Sequence, residues 1–122
     1  MDDEKSFHAI ISKLLVHKLQ SELLSKDLDL VTCIKVYTII FDTLVEVLTR
    51  SNVHISNESM NYLAQQYYDA TLVNGHQELN PHIFTQRASL ASIETKEIAL
   101  LATMLRGTDF TKPLIDEIKR RS

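Results

Sequence analysis

Two glycines and two prolines in 122 residues leave this chain very little material for tight turns. Average usage would supply roughly 8 and 6. Sandwiches, barrels and serial hairpins draw on these residues at each reversal, glycine for positive φ and proline for its fixed φ. A chain so poor in both is confined to architectures with few reversals, which means long helices. The same scarcity removes two nucleotide-binding devices. Neither a phosphate-cradling loop nor a dinucleotide fingerprint can be written without clustered glycines.

The remaining composition is that of an ordinary folded domain. Hydrophobic residues make up 44%, charged residues 24%, and the formal net charge is −3. A chain of this length fits one domain and can bury about two thirds of its unfolded surface. Cys33 is alone, so an internal disulfide and a zinc site built on several thiolates are both ruled out. A solitary thiol in an apolar stretch suits a reducing compartment. The start, Met1-Asp2-Asp3-Glu4, is acidic where a signal peptide is basic. No apolar run approaches the roughly 20 residues of a membrane span. These features point to a cytoplasmic protein with no membrane segment.

Periodicity places the helices. The first spans about Asp3 to Lys26, with Phe7, Ile10, Ile11 and Leu14 at helical spacing. Its stripe then winds through Leu15, Leu19 and Leu23, and Glu22 pairs with Lys26 at i,i+4. The second runs from about Leu30 to Arg50, capped by Asp27 or Asp29. Its many valines, isoleucines and threonines favour a strand. Its periodicity favours a helix, because Thr32, Lys35, Thr38, Asp42, Glu46 and Thr49 gather on one side of a helical wheel. Leu30, Cys33, Ile34, Tyr37, Ile40, Phe41, Leu44, Val45 and Leu48 form the other side. That arc is wider than the stripe of a surface helix and predicts the central helix of the core.

Ser56 caps the third helix, with Glu58 in its first turn and Ile55 and Met60 at the positions of a hydrophobic staple. Met60, Leu63, Ala64, Tyr67 and Thr71 form its inward stripe, and Asn74-Gly75 ends it. Asn80-Pro81 opens a short helix or ordered loop through Ile83, Phe84 and Arg87. Ser92 caps a helix over Ile93 to Arg106, which Gly107 stops. Thr111 caps the last, with Pro113 in its first turn and Leu114, Ile115 and Ile118 as its apolar face. Asp116 with Arg120, and Glu117 with Arg121, are i,i+4 pairs. The expectation is an all-α chain: a single compact helical bundle of four main helices plus one or two short ones, forming one domain over residues 1–122.

Chemistry-bearing residues are sparse. His8, His17, His54, His76 and His82 form no metal-ligand spacing, and His76, Glu78 and His82 read as solvated loop residues. Cys33 sits in an apolar arc, where a thiol is inert. Asp42 and Glu46 share a face with Lys35, as a solvated surface does. No catalytic motif is present, so no metal, cofactor or enzymatic activity is expected. Nucleic acid is an unlikely partner for a chain of negative net charge. Its basic concentration is Lys119, Arg120 and Arg121, and the stretch Phe84 to Leu105 carries only Arg87 and Lys96.

Protein contact remains. Several apolar or amphipathic side chains fall outside their own helix's inward stripe: Ile39, Tyr62, Gln66, Val73, Leu100 and Met104. Tyr and Met are common at interfaces. The expected function is a non-catalytic interaction module, an adaptor, inhibitor or assembly factor, whose partner is another protein or a second copy of itself. The alternatives are a nucleic-acid regulator using the basic C-terminus, or a helical bundle binding a small ligand.

Overall fold

The computed structural model describes residues 3–23, 30–71 and 89–122. Five α-helices stand among them: α1 Asp3–Leu23, α2 Leu30–Arg50, α3 Asn57–Thr71, α4 Thr95–Met104 and α5 Thr111–Arg121. A 3-10 turn, Leu90–Ser92, precedes α4, and the described residues contain no strand. Helix α1 lies against α2 and α4, α3 lies against the same two, and α5 packs on α4. The all-α bundle is therefore what the glycine and proline scarcity implied.

The valine- and isoleucine-rich segment coils over the expected range, but its inward face is turned relative to the expected arc. Val36, Ile40, Leu44, Val47 and Leu48 are buried, whereas Ile34 and Val45 are exposed. Apolar residues occupy so much of this helix that its pattern does not define one edge. Contact with both α1 and α3 selects the side centred on Ile40. Thr43 is carried inside with it, and its hydroxyl donates to the Ile39 carbonyl at 2.7 Å. That bond removes the cost of burying a polar group without a partner.

Helix α3 is enclosed over more of its circumference than α2, which corrects the reading of α2 as the central element. Tyr62, Leu63, Ala64, Gln65, Tyr67 and Tyr68 are all buried. On α1 the inward positions are Phe7, Ile11 and Leu15, each four residues from the next, while Ile10 faces solvent. Fully buried Leu or Ile side chains such as Ile11, Leu44, Leu63, Ile98 and Leu101 are each worth roughly 1.5–3 kcal/mol over exposure.

The helix ends are written in backbone chemistry. After α2 the Asn52 N–H donates to the Thr49 carbonyl and the Val53 N–H to the Leu48 carbonyl. Asn52 stands at φ 57, and Leu48 and Val53 both join the core side. This is the Schellman arrangement, with asparagine in the left-handed position. Gly107 ends the stretch after α4 at φ 85. A methyl group there would meet nothing within 4 Å, so glycine is needed for its backbone alone.

Two expected caps act differently. Ser92 closes a 3-10 turn whose cap is Ser89, and α4 begins at Thr95. Thr111 does not cap α5, because its hydroxyl donates to the Leu105 carbonyl. Thr108 does the local work instead, accepting from the Phe110 N–H at 3.2 Å. Glu117 pairs with Arg121 as expected, at 2.9 Å, but Arg120 also turns to Glu117 rather than to Asp116. The Arg121 guanidinium further reaches Thr95 Oγ1 at 2.9 Å and the Leu90 carbonyl at 2.8 Å, joining α5 to the start of α4.

Ser56 does cap α3, accepting from the Ser59 N–H at 3.2 Å. A capping box needs a second acceptor for the cap residue's own N–H, usually a side chain three residues on. Here that residue is Ser59, and the acceptor comes from another helix. Glu97 Oε1 receives the Ser56 N–H at 3.2 Å, the Ser56 hydroxyl at 2.8 Å and the hydroxyl of the fully buried Ser59. Glu97 itself lies in the first turn of α4, so one carboxylate faces the positive ends of two helices. The Ser59 hydroxyl, then Ser56, hold its pKa below the ordinary 4.5. The expected cap of α2 at Asp27 or Asp29, the Glu22–Lys26 pair, the Asn74-Gly75 stop and the short helix after Asn80 lie outside the described residues or side chains.

A depressed carboxylate pKa means that the clasp stabilises the fold above the ordinary carboxylate range and fades as Glu97 is protonated. Glu97→Gln should cost roughly 1 kcal/mol at neutral pH, by analogy with loss of a cap. The gap to the parent should narrow as pH falls below the ordinary carboxylate range and Glu97 takes up its proton, as measured by urea unfolding across a pH series. Gly107→Ala should lower stability by roughly 1 kcal/mol, with Gly107→Asn losing less, because asparagine tolerates positive φ.

Candidate interaction surface

Helix α2 turns an apolar edge outward. Ile34 is 47% exposed and Val45 is 41% exposed. Between them Thr38 is exposed and Phe41 half-buried. The intervals 34–38–41–45 are four, three and four residues, the spacing of a coiled-coil seam. Thr38 is polar by composition, but its hydroxyl is engaged with the Ile34 carbonyl at 2.9 Å. Phe41 is steadied by its neighbour Tyr37, with ring centroids 6.2 Å apart, and Tyr37 meets Tyr68 of α3 edge-on at 5.9 Å. The edge is thus braced through an aromatic contact to the most enclosed helix.

The six residues singled out from the sequence fare differently. Leu100 is exposed, as expected. Tyr62 and Met104 are buried, which corrects their assignment to an outer face. Tyr62 belongs to a helix with buried positions on several sides, so the side opposite its main stripe is inside too. Burial also pushes the Tyr62 hydroxyl pKa up. Met104 is the last residue of α4, from which the chain turns back so that α5 packs on α4. Ile39 is half-buried against the core and Gln66 is half-buried. Val73 lies outside the described residues. The six do not form one surface. Sequence reasoning assigned Ile34, Phe41 and Val45 to the interior, so the exposed edge was missed. Its signal was the excess width of the apolar arc.

A second feature lies where α1, α3 and the turn before α5 converge. His8, Ala70, Gly107, Thr108, Asp109 and Phe110 line an open cleft of about 410 Å³. His8 Nδ1 is 2.8 Å from the Tyr67 hydroxyl, and Ser12 Oγ is 3.4 Å from His8 Nε2. Tyr67 stacks near His8 and meets Phe110 edge-on at 5.1 Å. Neutral imidazole has one donor and one acceptor, so either tautomer satisfies this chain. A serine, histidine and third group in sequence can activate a nucleophile when the third group is a buried carboxylate. Here it is a phenol that burial keeps protonated. A neutral hydroxyl gives an imidazolium far less support, so the cluster reads as a polar brace joining α1 to α3.

The basic C-terminus is largely engaged. Arg120 and Arg121 both bond to Glu117, and their bonds pull its pKa down to about 2. Lys119 is exposed. Among the described residues no group of three or more His, Cys, Asp or Glu side chains is gathered to hold a metal, and no helix is long and apolar enough to cross a membrane. His76, Glu78 and His82 lie outside the described residues, as does the side-chain environment of Cys33. No protein-family model, curated protein or solved structure matches this chain.

The brace has a measurable cost of removal. Tyr67→Phe keeps the ring contacts and deletes one hydroxyl. It should lower unfolding stability by roughly 1 kcal/mol without changing the helical content seen by circular dichroism.

Proposed function

We propose that this protein is an interaction module that acts by presenting the outer edge of α2 to a protein partner. The observation that supports this is the seam itself: Ile34 and Val45 exposed, with Thr38 and the half-buried Phe41 between them at coiled-coil spacing, on a helix whose other side is firmly packed. Isolated exposed apolar residues need no explanation. An ordered row of them on one edge loses its contact with water when a second helix lies along it, as in helix-in-groove recognition. The reading fits an adaptor, inhibitor or assembly factor, whose work is occupancy rather than chemistry.

The test is the size of the complex that contains the protein in its native cell. Chemical cross-linking before lysis, followed by size separation, should place the parent in a species heavier than the free chain. Val45→Asp should shift it to the free size by placing a charge in the seam, while Leu100→Asp, on α4, should not. Complexes that survive Val45→Asp unchanged would remove this edge from the interaction.

A further inference from the structure

The charges beside the seam specify an occupant for it. Lys35 and Asp42 are both exposed, and among the described residues neither has an ionic partner. They stand seven residues apart, two helical turns, and so lie on the same flank of the seam within about 20° of each other. Glu46, by contrast, is already held by Lys18 at 3.2 Å and Arg50 at 3.0 Å.

We propose that the seam binds a second copy of this chain, with the two α2 helices running antiparallel about a two-fold axis. This rests on the interaction-module reading and supplies its partner. In an antiparallel pair each flank meets the identical flank of the copy. Lys35 of one chain then faces Asp42 of the other, and the symmetry repeats the pair. The seam falls into register at the same time: Ile34 opposes Val45, and Thr38 opposes Phe41, giving four layers. A parallel pair would set this flank against the opposite one and leave both charges unmatched. The self-complementarity of one patch is what a two-fold interface requires.

Four layers cover about 17 Å of helix. A strip of one helix that short buries less than the ~800 Å² per partner of a stable interface, so the pair forms reversibly. Sedimentation equilibrium on the purified full chain, from ~10 μM to ~1 mM, should show a monomer–dimer equilibrium. Lys35→Asp and Asp42→Lys should each weaken it about tenfold, since each sets two like-charge contacts across the axis. The double variant K35D/D42K should restore parental association, and Val45→Asp should abolish it. Lys35 and Asp42 are on the outer surface, so their variants keep the fold, which helical content and thermal midpoint verify. A chain that stays monomeric throughout, a dimer indifferent to these changes, or a double variant no better than the singles would overturn the pairing. The interaction-module reading fails separately, since it falls only if complexes in the cell ignore Val45→Asp. A monomeric purified chain whose cellular complex still needs Val45 would retain that reading and discard self-pairing.

Discussion

One carboxylate sets the relation between the two helices that begin side by side. Glu97 accepts from the backbone and hydroxyl of Ser56 and from the buried hydroxyl of Ser59 while sitting in the first turn of α4. Apolar burial supplies most of the stabilisation of a bundle, but it is not directional, and helices can slide on greasy faces at small cost. A charged group with fixed acceptor geometry cannot slide. It fixes where α3 begins relative to α4, and both of those helices meet the rest of the ring. The buried polar atoms around it are satisfied only in this register.

The rotation of α2 follows from the same ring. Among the described residues helix α2 packs chiefly against α1 and α3 and must turn toward both. Val36, Ile40, Leu44 and Val47 satisfy that demand. Ile34, Phe41 and Val45 are then more apolar surface than those two neighbours bury completely. The packing of the core and the presence of an outward seam therefore have a single origin, an apolar arc wider than the space between two partners.

Much of this architecture was legible in the residues. Helical class, the bounds of α2, the cap at Ser56 and the stop at Gly107 all follow from local chemistry that a sequence displays directly. The phase of α2 was not, because apolar residues on three sides give no unique inward direction. Tyr62 and Met104 were misplaced for a related reason. A wheel shows which residues share a face, but not how many neighbours the helix has. Glu97 was hidden because its partners are 38 and 41 residues away. The capping box it completes looks broken in sequence, where Ser59 fills the place of the usual Glu or Gln. Asn52 was passed over because a lone asparagine is a weaker stop than glycine, although it closes α2 with both expected bonds.

The placement of the aromatic phenols has a spectroscopic consequence. The chain has four tyrosines and no tryptophan. Tyr37 is on α2, and Tyr62, Tyr67 and Tyr68 are on α3, all of them buried or half-buried. Near-ultraviolet dichroism and intrinsic emission therefore sample chiefly the α2–α3 side of the molecule, whereas far-ultraviolet dichroism sums every helix. Melting curves from the two signals coincide if the bundle comes apart in one step and separate if α4 and α5 loosen first, so this protein carries its own probe of cooperativity without a label.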